Sequence, residues 1–288
     1  MPFVLDVALP ALVVFIMILV GLELTFADFS RVLRYPGLVA AALISQWIIL
    51  PVVAVLLIRT LVLPPVLAAG VILVAAAPIA AMSNYYSLLA GANLALAVTL
   101  TAVSSILAMV ATPTITSLAF GLLLNTSVGF ELPVAKVLVH TLIGLLLPIM
   151  TGMAIRHVAP AWVSRQRLLL RNLSLLAVVA VGVFVIIDQY AMISAQIMLL
   201  VVTSVLFTLS LLLAGWLAGW IAENPENQRA ILFGFPARNL AFATLIAVSA
   251  VGRVDIASFA AVFFLVQIVL LVSLAFVLRG RSSIVSGE

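Results

Sequence analysis

Two stretches decide the reading of this chain: AAAPIAAMSNYYSLL at residues 75–89 and LFGFPARNLAFATL at residues 232–245. Each is an apolar helical run interrupted by proline, at Pro78 and Pro236, with a polar group just beyond: Ser83 and Asn84 in the first, Arg238 and Asn239 in the second. Proline removes a backbone donor and clashes with the preceding turn, so each run is expected to unwind there and to free carbonyls and amides. Hydrocarbon tolerates such groups only where protein or a water-filled cavity surrounds them. Interrupted helices at matching places in two halves of a chain are the sequence pointer to the central site of a secondary transporter.

Composition places both runs in a membrane. Of 288 residues, 66% are hydrophobic and only 8% charged, and the mean hydropathy is +1.42; a soluble domain carries about 25% charged residues. The sequence holds no cysteine, which excludes disulfides and thiolate metal sites. The opening apolar stretch lacks a basic leader and a small-residue cleavage site, so it is expected to be a retained helix. No metal-ligand cluster, no nucleophile with its base, no paired intramembrane carboxylates and no phosphate loop occur. The sequence therefore points away from an enzyme, and no cofactor or nucleic-acid partner is expected.

Counting about 20 apolar residues per span predicts an all-α polytopic membrane protein of nine transmembrane helices, near residues 5–26, 37–58, 65–90, 93–124, 133–155, 168–187, 194–221, 228–250 and 256–278. The third and eighth are the interrupted ones. Helices one to four run plain, plain, broken, long, and helices six to nine repeat that order. This predicts a first repeat over 1–124 and a second, inverted repeat over 125–288. Alternating loops put Arg31, Arg34, Arg156, Arg165, Arg167, Arg171, Arg229, Arg279 and Arg281 on one side and Arg59, Lys136 and Arg253 on the other. Cytoplasmic loops carry the basic excess, so the C-terminus is expected inside and the N-terminus outside, in a bacterial inner membrane. A basic cytoplasmic face attracts anionic lipid.

Four runs carry a family resemblance: GLELTFADFSRVLRYPG (21–37), LISQWIILP (43–51), VILVAAAPIAAMSNYYSLLAGANLALAVTLTAVSS (71–105) and NQRAILFGFPARNLAFA (227–243). Together they resemble successive blocks of the bile acid:sodium symporter family, from about residue 10 to 276. The resemblance implies a core domain with two crossed broken helices, a smaller panel domain that moves against it, and the absence here of one leading helix. It also implies sodium-site counterparts at Ser83, Asn84, Thr101, Gln46 and Asn239. Where sodium-coupled members use a shared acidic residue this chain has Gly234, and where they use a glutamine it has Arg238. Ala97, Ile79 and Ala80 also depart from the family pattern.

A site that loses a carboxylate and gains a cation is not expected to bind sodium in the usual way: two unit charges about 4 Å apart repel by several kcal/mol at an effective dielectric of about 20. The candidate substrate-binding residues are therefore Arg238, Asn239, Asn84, Ser83, Thr101 and Gln46, at a helix crossover marked by Pro78 and Pro236. The expected substrate is a small organic anion, a monocarboxylate or bile-acid-like amphipathic acid; guanidinium stays charged and offers a planar fork to carboxylates. A second reading makes Arg238 a brace satisfied by the opposite broken helix, Asn84 and Asn239 caps, and Ser83 and Thr101 packing residues. Sodium symport with rearranged ligands and, from another class, a non-transporting receptor or membrane-embedded enzyme are the alternatives. Glu23 and Asp28 suggest capping or pairing with Arg31, His140 a hydrogen-bonding role, and Glu223, Glu226 and Arg229 a solvated loop. Tyr85 and Tyr86 are candidates for packing or ring stacking, and Trp216 and Trp220 for interface anchors.

Overall fold

The computed structural model describes residues 7–123 and 134–286, and among these no β-strand occurs. The principal helices, in chain order, are α1 (Leu9–Glu23), α2 (Pro36–Thr60), α3 (Pro65–Ala76), α4 (Met82–Leu89), α5 (Leu94–Leu123) and α6 (Val134–Val158). They continue with α7 (Arg167–Asp188), α8 (Ile197–Gly219), α9 (Pro225–Gly234), α10 (Leu240–Ala250) and α11 (Ala257–Ser286). Six helical stretches are long and apolar enough to cross a membrane: α2, α5, α6, α7, α8 and the Val254–Arg279 run that contains most of α11. The expected helix starts at residues 5 and 133, and the expected end at 124, lie outside the described residues.

Both interruptions fall where proline predicts them. The first separates α3 from α4 around Pro78, and the second separates α9 from α10 around Pro236. Proline by itself is not sufficient, since Pro51 and Pro113 lie inside continuous helices. In α6 a π-helical turn at Leu142–Leu146 precedes Pro148, the local widening that accommodates a missing intrahelical bond. The helix start at Pro225 is instead a capped one: the Asn224 side chain accepts from the Asn227 amide at 2.8 Å, with proline at the first turn, where its lost donor costs nothing.

Of the broken elements, α3 and α10 are buried deepest. Every residue of α3 from Leu67 to Ala76 is buried, as is every residue of α10 from Leu240 to Val248. This enclosure is what irregular backbone at membrane depth requires. By contrast α7 turns Leu176, Val183 and Ile187 outward, an apolar face fit for lipid.

Close backbone approach joins α1 to α6. A Cβ on Gly152 would stand 2.1 Å from the Ile18 carbonyl oxygen and 2.8 Å from the Gly21 Cα, and one on Gly21 would stand 2.2 Å from the Ile149 oxygen. Small residues at a helix interface permit this approach, and dispersion then holds the pair where lipid offers no hydrophobic drive. Gly152→Ala must push the helices apart, and overpacking of this kind costs about 1–3 kcal/mol. We expect it to lower the melting temperature of the purified protein in detergent, while Gly121→Ala, with open space around its Cβ position, leaves the melt unchanged; equal melts for both variants contradict the close contact.

Candidate functional site

The two interruptions meet, and each satisfies the backbone of the other. The Ala80 amide donates to the Ala237 carbonyl at 2.8 Å, and the Asn239 amide donates to the Pro78 carbonyl at 2.9 Å, a one-residue antiparallel bridge between Ile79 and Arg238. Helix α5 supplies further partners. Ser104 Oγ accepts from the Ile79 amide at 3.1 Å, and Thr112 Oγ1 donates to the Ala76 carbonyl at 2.6 Å. Asn239 caps the restarting helix, its Oδ1 accepting from the Phe242 amide at 3.1 Å. An unpaired buried backbone group costs about 1–3 kcal/mol, so this set of bonds is the condition for unwinding a helix in the interior.

Arg238 stands in the crossing itself and is 1% exposed. With its carboxamide oxygen facing the guanidinium, Gln46 accepts from Nη1 and Nη2 at 2.5 and 3.1 Å. The guanidinium also lies over the Trp47 ring, 5.8 Å from its centre, within cation–π range. Its Nε has no partner, and no carboxylate among the described residues pairs with it. The neighbouring space is apolar: Ile79 Cδ1 lies 3.5 Å from where a Cβ on Gly234 would stand.

Ser83, Asn84 and Thr101 form a second polar knot. Ser83 Oγ lies 3.2 Å from Thr101 Oγ1, which donates to Asn84 Oδ1 at 3.2 Å or to its own Ala97 carbonyl at 3.0 Å. Asn84 does not cap α4, because Ala81 occupies that position and Asn84 lies inside the helix; Asn239 is the asparagine that caps. The six candidate residues thus separate into two groups, Gln46 with Arg238 and Ser83 with Asn84 and Thr101, with Asn239 beside the first.

A cavity of about 720 Å³ runs from the crossing to the connector between α6 and α7. Its inner end is lined by Ala80, Asn84, Arg238 and Asn239, its apolar walls include Met17, Val20, Val98, Val178 and Phe264, and its outer end holds Glu23, Arg156, Arg167 and Arg171. Gln46, Ser83 and Thr101 stand behind the wall. Tyr85 lines the cavity, whereas Tyr86 is fully buried against Phe233, with ring centres 6.4 Å apart.

Outside the crossing, some groups take their expected roles and others do more. Asp28 takes a capping role, accepting from both the amide and the hydroxyl of Thr25 at 2.6 and 2.8 Å, while Glu23 lies at the cavity mouth within electrostatic reach of Arg167, Arg156 and Arg171. The Arg31 side chain lies outside the described residues. The segment around Glu226 and Arg229 is more than a solvated loop: Arg229 donates to the Ala90 carbonyl at 3.0 Å, Asn93 donates to Asn227 Oδ1 at 2.8 Å, and the Asn93 amide donates to the Glu226 carbonyl at 3.0 Å. These bonds tie the start of α9 to the turn between α4 and α5, so the broken elements interlock twice. The signal available beforehand was two asparagines beside helix starts. His140 Nδ1 donates to the Lys136 carbonyl at 2.7 Å. Trp216 and Trp220 are exposed, their rings edge to face at 4.7 Å. On the side opposite the cavity mouth, Arg253 pairs with Asp255, and that hydrogen bond raises the guanidinium pKa.

Comparison with known proteins agrees with the resemblance in the first three sequence runs. The chain matches the Sodium Bile acid symporter family over residues 10–201. It is 34% identical over 151 residues to the probable sodium/metabolite cotransporter BASS2, chloroplastic, of Oryza sativa subsp. japonica, covering 52% of this chain and 35% of that protein. It is also 34% identical over 166 residues to the uncharacterized sodium-dependent transporter YocS of Bacillus subtilis (strain 168), covering 58% and 50%. With the probable sodium/metabolite cotransporter BASS3, chloroplastic, of Oryza sativa subsp. japonica the identity is 26% over 212 residues, 73% of this chain and 48% of that one. The chain thus spans half or less of the length of these relatives. The family match ends before the second broken element, which holds Arg238.

Gln46 provides a direct test of how the buried guanidinium is held. Gln46→Leu removes the acceptor and should cost about 1.5–3 kcal/mol, the worth of a hydrogen bond to a charged group. Combining it with Arg238→Met should recover part of that loss, because the charge left unpaired is gone as well. Thermal unfolding of the three variants in detergent measures the coupling; strictly additive losses contradict the contact.

Proposed function

Because the chain belongs to the Sodium Bile acid symporter family, we propose that it is a secondary transporter that carries a small organic anion across a bacterial inner membrane by alternating access. The observation that carries the anion reading is Arg238: this residue lines the inner end of the cavity, is buried, and has no carboxylate partner among the described residues. An intramembrane ionisable residue that lines a cavity marks a substrate or ion path, and Asn84 and Asn239 line the same end of the cavity. The relatives named as sodium/metabolite cotransporters and as a sodium-dependent transporter support the transport class and give no support to an enzyme.

In this reading the chain crosses the membrane nine times as two inverted repeats, 1–124 and 125–288, with the N-terminus outside and the C-terminus in the cytoplasm. Helices α1, α6 and α7 form the panel, consistent with the glycine contact between α1 and α6; the broken elements with α2, α5, α8 and α11 form the core. The cavity draws its walls from both groups, the arrangement in which one body rocking against the other exposes a fixed site to alternate sides. Its mouth lies among the arginines of the cytoplasmic face, so this conformation faces inward.

Arg238 takes the place of a bound cation in this scheme. Its fixed charge and the apolar contact of Ile79 with Gly234 oppose sodium at that position, so transport does not draw on sodium there. The naming of the relatives as sodium/metabolite cotransporter and sodium-dependent transporter and the oxygen cluster of Ser83, Asn84 and Thr101 favour a second reading, sodium symport with rearranged ligands.

Uptake of radiolabelled organic acids into proteoliposomes, in sodium medium, in potassium medium and with an imposed pH gradient, separates these readings. We expect uptake of at least one acid to be the same in sodium and potassium. We also expect Arg238→Gln to weaken its affinity about tenfold or more, each tenfold being about 1.4 kcal/mol. Uptake that requires sodium establishes the second reading; absence of uptake for every acid tested under every gradient counts against anion transport.

A further inference from the structure

The outer end of the cavity holds a group of charges that the crossing does not use. Arg167 and Arg171 stand one helical turn apart on α7, and Arg156 reaches the same space from the end of α6. Arg156 donates to the Leu22 carbonyl at 2.8 Å and so is partly committed to the C-terminus of α1. Arg167 and Arg171 are exposed to the cavity and make no hydrogen bond or ion pair within 4 Å among the described residues. Facing them are Glu23 and the Asp28 carboxylate engaged at the Thr25 cap, so three guanidiniums outnumber two carboxylates.

The positive-inside rule explains arginines at the membrane surface but not their direction. On α7 the residues Arg167, Arg171, Ser174, Leu175 and Val178 line the cavity, the i, i+4, i+7, i+8, i+11 pattern of one helical face. Leu168 and Leu176, by contrast, point outward. The same face therefore runs from two arginines through a serine to an apolar stretch. Val178 and Leu240 share a small pocket, which sets that level of α7 beside the residue that follows Asn239. Seven residues separate Arg171 from Val178, a rise of about 10 Å along the helix.

Resting on the anion reading above, we infer that Arg167 and Arg171 form a second anion station at the cytoplasmic mouth, and that the substrate class is a dianion. Its two anionic ends are joined by an apolar spacer of about 10 Å, one end in the field of Arg238 and the other held by the α7 pair. The walls between the two stations, Met17, Val20, Val98 and Leu175 among them, take the apolar body. A guanidinium pair that makes no hydrogen bond among the described residues binds carboxylate or another planar oxyanion through charge-assisted hydrogen bonds, and each end adds its own increment to affinity.

Octanoate and suberate, which share a carbon chain and differ by one carboxylate, are the probes. Their dissociation constants are measured by calorimetry on the purified full-length protein and on R167Q/R171Q and R167K/R171K. We expect suberate to bind the unsubstituted protein about tenfold or more tightly than octanoate, and this ratio to fall to near one in R167Q/R171Q with partial recovery in R167K/R171K. Both positions are exposed, so the substitutions leave the core intact. Equal affinities for the two acids in the unsubstituted protein, or a ratio that survives R167Q/R171Q, overturns the second station while leaving the anion reading standing. Binding of neither acid overturns both.

Discussion

The constraint on which the rest depends is that one permanent positive charge is buried where two helices are unwound. A guanidinium in a low-dielectric interior is costly unless hydrogen-bonded, by several kcal/mol for an ion with no compensation. Here the compensation comes from a neutral acceptor, Gln46, and an aromatic face, Trp47, both on α2. The crossing supplies the rigid frame: four backbone groups of the two interruptions bond to each other, and Ser104 and Thr112 of α5 close the account. Charge and frame are interdependent. The side chain can be placed only if α9 and α10 are held apart at Pro236, and that gap is stable only because α3 and α4 complete its hydrogen bonds.

Much of this was legible beforehand, for identifiable reasons. Pro78 and Pro236 announced the breaks because proline acts locally, through a lost donor and a clash. Asn239 as a cap followed from its place before an apolar run. What stayed hidden depended on distance in space. Nothing in the spacing of Ser104, Thr112 or Gln46 shows that a hydroxyl or carboxamide on a neighbouring helix meets the unwound backbone. Asn84 looked like a second cap, but the unwound stretch after Pro78 ends at Ala81, so Asn84 falls inside α4 and turns to Thr101 instead. The arginines of α7 read as a side marker for topology; only the tertiary arrangement shows that their helical face is a cavity wall.

The cavity gives the crossing its chemical meaning. Its inner end presents a buried cation and two carboxamides, its walls are apolar, and its outer end is again positive. Apolar walls lower the local dielectric, which in the proposed reading strengthens the attraction of either end for an anion. The second interlock, between Asn93 and Asn227 and between Arg229 and Ala90, ties the two broken elements together away from the crossing. In the proposed transport cycle these two points of attachment let them move as one body, and the motion that opens the cavity to the other side falls at the faces that α1, α6 and α7 present to them.

The central claim is that the Arg238 guanidinium fills the role of a bound cation at the crossing. Its most direct test is the melting temperature of the purified protein in sodium chloride against the same concentration of N-methylglucamine chloride. A ligand that binds only the folded state stabilises it in proportion to the logarithm of its concentration. Coincident melts are expected for the unsubstituted protein and a sodium-dependent rise for Gly234→Glu/Arg238→Gln, which supplies a carboxylate and removes the charge. A sodium-dependent rise in the unsubstituted protein, abolished by substitution at Ser83 or Thr101, would place a working ion site beside Arg238 and contradict it.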